Sequence, residues 1–325
     1  MIPLDDIRRA AATIGPEAVV TPVVRSDRLD ALVGATVFAK DESQQRAGSF
    51  KFRGALNRLS AIPPDARGSG VVAVSSGNHG AAVACAAGIL GIAATVHVPE
   101  NVSAAKRALI EGFGADIVMF PPTRLVREDG ALRQVAETGA TFVHPFEDPL
   151  VMRGQGTAAL EFHGQVGPLD ALVVPMSGGG LMAGCASAIR QLDATCEIIG
   201  VEPANADDTR RSFEAGHLVR IAQPDTIADG LAVTAPGPTT FAINRHLVSA
   251  VVTVTEDELV GAMRLASDLL DRRLEPSGAA SLAAVLAHPR RFRGRRVGVI
   301  LSGGNVDEAH FSRLVAEVAC YPRRT

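Results

Sequence analysis

The sequence predicts an α/β fold with two open, mostly parallel and twisted β-sheets flanked by helices. Short runs rich in Val and Ile alternate with alanine-rich helical stretches along most of the 325 residues. Continuous apolar strands separated by helices are typical of parallel sheets that are covered on both faces. An apolar content of 47% is enough to build a large core or two domains.

The strand candidates follow one another along the chain, and each precedes a plausible helix. They lie at residues 70–76, 93–99, 115–121, 140–145, 171–177, 197–203, 251–255 and 296–304. The first four can form a small sheet and the others a larger one. We therefore expect a small domain over 61–147 and a large domain over 1–60 and 148–325. Thr255, with Glu258 three residues later, predicts a capped helix start after one of the strands.

Charge and composition predict a cytoplasmic protein. The net charge of −3 and the pI near 6.3 give no reason to expect nucleic acid or an anionic membrane as a partner. No run approaches the roughly 20 apolar residues that span a bilayer, and the first 15 residues do not resemble a signal peptide. The cysteines at 85, 185, 196 and 320 are scattered, which favours reduced thiols over a disulfide framework.

Polar, glycine-rich loops come before several predicted helices. They read SSGNHG at 75–80, SGGGLMAG at 177–184, EPSGAAS at 275–281 and SGGNVD at 302–307. In open α/β sheets, ligands bind at such loops. The SGGG stretch can turn successive backbone N–H groups toward a phosphate at a helix start, although a tight turn that needs glycine is the alternative. The stretch is neither a P-loop nor a dinucleotide fingerprint.

Two further features attract attention. The SSGNHG loop has four polar residues in its first five positions, more than the capping of one helix needs, and it suits a carboxylate. Lys51 lies between Phe50 and Phe52 in the stretch GSFKFRGA. Lysines are usually exposed, because burying an unpaired ammonium group is costly.

Taken in order, GSFKFRGA, SSGNHG, SGGGLMAG, EPSGAA and SGGN resemble the pyridoxal-phosphate (PLP) enzymes of the tryptophan-synthase β-like fold, fold type II. The resemblance covers nearly the whole chain and is to the branch of serine/threonine dehydratases and serine racemases. It implies a homodimer with the cofactor in a cleft between the large and the small domain.

The resemblance also implies roles for individual residues. Lys51 is expected to form the Schiff base with PLP and to act as the base. The cofactor contacts are expected from Phe50, Asn78 at the ring oxygen, Ser177, Gly178, Gly179, Gly180 and Leu181 at the phosphate, Glu275, and Ser302 at the pyridine nitrogen. The amino-acid substrate is expected to meet Ser75, Ser76, Gly77, Asn78, His79 and Arg127. Ser76 is the candidate second catalytic residue, on the face opposite Lys51. For Arg127, an ordinary solvated helix arginine is the alternative.

The segment EPANADD at 202–208 matches a divalent-cation site of the same branch. Glu202 and Asp208 would supply carboxylates and Ala206 its backbone carbonyl. An all-oxygen set with room for water suits Mg²⁺, Ca²⁺ or Mn²⁺. A polar loop with clustered acids is the alternative.

The implied activity is that of a PLP-dependent ammonia-lyase. A serine at the ring nitrogen cannot hold that nitrogen protonated as an aspartate would, which favours elimination of a β-hydroxyl. Serine, threonine and 3-hydroxyaspartate are the candidate substrates, since departures from the branch at Ala81, Phe146 and 232–241 leave the side-chain preference open. The alternative is an amino-acid racemase. A β-replacement synthase and a non-catalytic PLP-binding protein are weaker alternatives.

Overall fold

Two β-sheets organise the chain in the computed structural model, which describes residues 1–75, 77–121 and 124–317, without the side chains of 124–127 and 317. The strands are β1 Val23–Val24, β2 Thr36–Asp41, β3 Val71–Val74, β4 Ala94–Pro99, β5 Asp116–Phe120, β6 Thr141–Phe142, β7 Ala171–Pro175, β8 Glu197–Pro203, β9 Ala250–Val254 and β10 Arg296–Leu301. The described part thus has the two-sheet architecture that the sequence predicts.

Helices separate most of the strands. They are α1 Leu4–Ile14, α2 Asp27–Val33, α3 Lys51–Ser60, α4 Asn78–Leu90, α5 Ala104–Gly112, α6 Arg124–Thr138, α7 Pro149–Val166, α8 Gly180–Leu192, α9 Asp208–Ala215, α10 Pro238–Leu247, α11 Glu256–Leu270, α12 Pro276–Ala287, α13 Pro289–Phe292 and α14 Glu308–Glu317. The predicted capping box is present at α11, where Thr255 and Glu258 exchange side-chain to backbone hydrogen bonds.

The larger sheet has the strand order β1-β2-β10-β7-β8-β9. Only the pairing of β1 with β2 is antiparallel; the other neighbours run parallel. Every residue of β7 is buried, as expected for a strand covered on both faces by helices. The carboxyl ends of β2, β10, β7 and β8 therefore meet at one edge of the sheet.

The smaller sheet has the order β5-β4-β3-β6 and is parallel throughout. Its strands lie within 71–142, inside the range predicted for the small domain. The domain boundaries themselves remain a prediction. No helix in the described ranges is long and apolar enough to cross a membrane.

The sequence analysis missed β1 and β2. Strand β2 ends in Lys40 and Asp41, which give it the polar character of a loop in the sequence. Both side chains are fully buried in the structure, because Glu161 neutralises Lys40 and Arg272 neutralises Asp41. Three cysteines fall in the described part (Cys85, Cys185 and Cys196), and all three are free and buried, in keeping with reduced thiols.

Candidate active site

One cavity of about 800 Å³ is lined by most of the predicted site residues. Its wall comes from loops that follow strands of both sheets. All the predicted cofactor residues line it: Phe50, Lys51, Asn78, Ser177, Gly178, Gly179, Gly180, Leu181, Glu275 and Ser302. Of the predicted substrate residues, Ser75, Gly77, Asn78 and His79 line it too. Ser76 lies outside the described residues, and so does the side chain of Arg127.

Lys51 is the first residue of α3, and its half-buried side chain lines the cavity. The Nζ atom donates a hydrogen bond to the backbone oxygen of Pro145 at 3.0 Å and lies 5.2 Å from the centre of the Phe50 ring. Burial lowers the pKa of Lys51 to about 8. Phe52 instead packs into the core of the small sheet. Of the two aromatic neighbours, Phe50 is therefore the one beside the amine.

The loop at 177–181 is fixed by residues of α10. Thr240 Oγ1 donates to the Gly178 carbonyl at 2.5 Å, and Asn244 Nδ2 donates to the Gly179 carbonyl at 3.1 Å. The residues at the start of α8, whose first N–H groups have no partner within the helix, line the cavity. Thr240 and Asn244 were missed in the sequence, although their i, i+4 spacing after the turn PGP places them on one helix face.

Two positions of this loop admit only glycine. A Cβ atom on Gly178 would lie 2.3 Å from the ring of Phe146. Gly179 has φ +90°, and a Cβ there would lie 2.8 Å from Asn244 Nδ2. Phe146 stands out in the sequence only as a departure from the family pattern. In the structure its ring packs against Gly178 and also lines the cavity.

Asn78, at the start of α4, is hydrogen-bonded to side chains that follow strands of the larger sheet. Its Oδ1 accepts a hydrogen bond from Asn305 Nδ2 at 2.7 Å, and its Nδ2 donates to Glu275. Glu275 is buried, and burial together with the charge of Asp229 raises its pKa to about 7. An amide carries two N–H donors, so Asn78 keeps one for a ligand. Asn305 lies in the SGGNVD loop, where the sequence alone indicates no role for it.

The Ser75–His79 loop opens helix α4. Gly77 N donates to Ser75 Oγ at 3.1 Å, which closes a tight turn. His79 is buried and its pKa is lowered to about 3, by burial and then by the charge of Lys51, so the ring is neutral. Its Nε2 lies 2.9 Å from the Val143 carbonyl, which can only accept, so Nδ1 carries no proton. His79 can therefore serve a carboxylate through its backbone N–H, not through its ring.

Ser302 completes the cavity wall at the end of β10. It is 4% exposed, and its Oγ donates a hydrogen bond of 3.3 Å to the Ser277 carbonyl. A hydroxyl is uncharged at neutral pH, and it offers a lone pair or, after rotation, a proton. The group at this position is therefore neutral.

The predicted cation residues lie at the end of β8 and the start of α9. The two oxygens of Glu202 accept from Thr209 N at 3.0 Å and from Arg210 N at 2.9 Å. Asp208 is fully buried, and neither of its carboxylate oxygens has a hydrogen-bond partner. Burial and the nearby charge of Glu202 raise the pKa of Asp208 to about 8, and burial raises the pKa of Glu202 to about 7.

Ala206 is buried beside these acids, as a carbonyl ligand would have to be. Across the described residues, no group of three or more His, Cys, Asp or Glu side chains is placed to hold a metal ion. The predicted set contains only two such side chains and a carbonyl, so the cation remains a prediction. The uncompensated carboxylate of Asp208 is the observation that supports it.

Comparison with known proteins agrees with the fold and the cavity. A family model described as "Pyridoxal-phosphate dependent enzyme" matches residues 14–303. The chain is 41% identical over 296 residues to L-threo-3-hydroxyaspartate ammonia-lyase of Saccharomyces cerevisiae, covering 91% of both chains. It is 39% identical over 313 residues to serine racemase of Schizosaccharomyces pombe, covering 96% of this chain and 97% of the other.

The same agreement is found among solved structures. The structure of maize serine racemase superposes with a TM-score of 0.91 at 38% identity, and the match covers 97% of each chain. The predictions of a fold type II enzyme and of the lyase and racemase branch are confirmed. The chain belongs to the family of pyridoxal-phosphate-dependent enzymes.

Proposed function

We propose that the protein is a PLP-dependent ammonia-lyase that converts a β-hydroxy amino acid to a 2-keto acid and ammonia. The observation that carries the proposal is that the amine of Lys51, with its lowered pKa, lies in one cavity with the 177–181 loop and Ser302. We take 3-hydroxyaspartate as the first candidate substrate, since the similar yeast protein is named for it.

The cavity residues fit PLP. Lys51 would carry the cofactor, and the N–H groups at the start of α8 would hold its phosphate, as helix N-termini commonly do. The free amide hydrogen of Asn78 would reach the ring oxygen, and the neutral Ser302 hydroxyl would face the ring nitrogen. When bound, PLP supplies an electron sink for the electrons of the broken Cα–H bond.

The chain's own residues bind the substrate and move its protons. The first N–H groups of α4, which follow Gly77, would bind the α-carboxylate. The Lys51 amine would accept the α-proton, and a pKa near 8 leaves part of it uncharged at neutral pH. A neutral Ser302 would leave the electron sink weak, which would favour early loss of the β-hydroxyl, with a proton, as water. The net reaction of 3-hydroxyaspartate then gives oxaloacetate and ammonia.

A substrate panel tests the proposal. The PLP-loaded protein is assayed with serine, threonine and 3-hydroxyaspartate for keto acid and ammonia, and equal amounts of both products are expected. Lys51→Ala is expected to lower the rate by about a thousandfold or more, because it removes both the cofactor attachment and the base. Absence of keto acid with all three substrates would overturn the proposed function.

An amino-acid racemase is the second candidate, and serine racemases among the similar proteins favour it. Inversion requires a proton donor on the face opposite Lys51, the role proposed for Ser76. In Ser76→Ala we expect racemisation of serine to disappear while elimination from the L-substrate continues, measured by chiral chromatography. Inversion that survives the substitution would show that Ser76 is not the second base.

We also propose a divalent cation at Glu202, Asp208 and the Ala206 carbonyl, and a cytoplasmic homodimer. Asp208, which is buried without a partner, supports the cation. The dimer depends on the family resemblance alone. Size-exclusion chromatography with light scattering is expected to give twice the chain mass of 33.8 kDa; a monomer would exclude it.

A further inference from the structure

The cavity wall has an unusual distribution of charge. Among the described residues that line it, only Lys51 and Lys106 are lysines or arginines, while Glu128, Asp229 and Glu275 are acidic. Lys51 is committed to the cofactor in the proposed function. A second carboxylate on the substrate would therefore need a cation other than Lys51, and Lys106 is the one that the described lining offers.

We propose that Lys106 binds the side-chain carboxylate of a dicarboxylic substrate and so sets a preference for 3-hydroxyaspartate over serine and threonine. This inference rests on the proposed lyase function and names the substrate class of the same site. It adds a specificity-determining residue to those considered so far.

The position of Lys106 follows from the topology of the small sheet. Strands β3 and β4 are parallel neighbours, so the Ser75–His79 loop after β3 and helix α5 after β4 begin at the same edge. Ser103 Oγ accepts a hydrogen bond from Lys106 N at 3.3 Å and caps that helix. An ideal Cβ on Gly77 would lie 3.9 Å from Lys106 Nζ. The ammonium group thus stands beside the loop proposed for the α-carboxylate.

The present partner of Lys106 can be exchanged for a substrate. Its Nζ pairs with Asp229, which belongs to a turn on the large-sheet side of the cavity. The Asp229 side chain is 52% exposed and that of Lys106 is 26% exposed. An ion pair so open to water is weak, and a released Asp229 would be well solvated. A substrate carboxylate held at its other end by the Gly77 loop can displace it, whereas the side chain of serine has no charge with which to compete.

The test compares two substrates that differ in this carboxylate. For Lys106→Gln, the ratio of kcat/KM for 3-hydroxyaspartate to that for serine is expected to fall about 30-fold or more, since one charge-assisted hydrogen bond is lost. The matched control is Arg107→Gln, on the same helix, which removes a cation paired with Glu111 and outside the cavity wall. The control should leave the ratio unchanged.

The variant Asp229→Asn tests whether Lys106 acts by binding the substrate carboxylate or only through its ion pair with Asp229. It removes the ion pair but keeps the ammonium group, so the substrate ratio should stay the same or rise. A fall as large as that in Lys106→Gln would mean that the ion pair itself matters, and this would overturn the inference. An unchanged ratio in Lys106→Gln, or a wild type that acts on serine but not on 3-hydroxyaspartate, would overturn it as well.

Succinate binding supplies a readout that does not depend on turnover. Succinate has the carbon skeleton and both carboxylates of 3-hydroxyaspartate but neither the amine nor the hydroxyl. Calorimetry on the PLP-loaded protein should show at least about tenfold weaker binding to Lys106→Gln than to wild type, with Arg107→Gln like wild type. Equal binding would contradict the role of Lys106. A wild type inactive on all β-hydroxy amino acids would instead defeat the proposed function, and the succinate titration would still decide on Lys106.

Discussion

Two groups of buried charges in this protein differ in how they are balanced. The first lies under the start of α3 and consists of Lys40, Glu42, Arg53 and Glu161. The second, at the end of β8, consists of Glu202 and Asp208. The first group has two cations for its two anions. The second consists of two acids, and the hydrogen bonds to Glu202 come from backbone N–H groups.

In the first group, ion pairs and hydrogen bonds compensate nearly all of the buried charge. Arg53 donates to both oxygens of Glu42, at 2.7 and 2.8 Å, and Thr21 donates to the same carboxylate at 2.7 Å. Burial alone would raise the pKa of Glu42, but the charge and hydrogen bonds of Arg53 lower it below its usual value. Arg53 is two residues from Lys51, so this group also anchors the helix that presents the candidate catalytic amine.

The second group lacks such partners. Asp208 has no hydrogen-bond partner for either oxygen, and the pKa values of both acids are raised. A buried carboxylate of this kind must bind a proton or a cation. The first group is therefore structural as it stands, whereas the second is where we propose that a cation binds in place of a proton.

The largest effect is expected from breaking the balanced group. Glu42→Gln removes the fully buried counter-charge of Arg53, which keeps only its pair with the less buried Glu161, and should lower the free energy of unfolding by about 3 kcal/mol. Urea denaturation measures it. Glu111→Gln, which breaks the exposed pair with Arg107, is the matched control and should cost no more than about 1 kcal/mol. Equal effects of the two substitutions would remove the distinction between buried and exposed pairs.

A smaller effect is expected from filling the unbalanced group. Mg²⁺, Ca²⁺ or Mn²⁺ at 100 times its Kd should raise the free energy of unfolding by about 2.7 kcal/mol, and a chelator should reverse the gain. Thermal denaturation with each ion identifies the preferred one. Asp208→Asn should lose the response, while Asp207→Asn should keep it, because Asp207 is engaged by Arg210 and Arg211. A response that survives Asp208→Asn would place the cation elsewhere.

The smallest effect, taken per pH unit and per proton, is a dependence of stability on pH in the absence of cations. The raised pKa values mean that the folded protein holds protons which the unfolded chain has released, so stability falls as pH rises from about 4 toward 8. Between pH 6 and 7 one such proton corresponds to about 1 kcal/mol. Denaturation curves at several pH values should show this slope in wild type and a shallower one in Asp208→Asn. Saturating cation should also flatten the slope.

The sequence predicts features that depend on neighbouring residues and misses those that depend on residues far apart in the chain. The apolar strands and the glycine loops were predictable, because each depends on residues close together in the chain. Strand β2 was not, because Lys40 and Asp41 are neutralised by residues far along the chain, among them Glu161 and Arg272. Thr240 was missed for the same reason, since its contact with the 177–181 loop is tertiary. The role proposed for Lys106 could not be predicted either, because it depends on β3 and β4 lying side by side in the sheet.

The most direct test of the account is the location of the cofactor on the chain. The purified protein is incubated with PLP, reduced with borohydride, digested and mapped by mass spectrometry. We expect the pyridoxyl group on Lys51 and a loss of the yellow absorbance that PLP confers. Label on another lysine, or no stable label on the wild type, would contradict the assignment of this cavity as a PLP site.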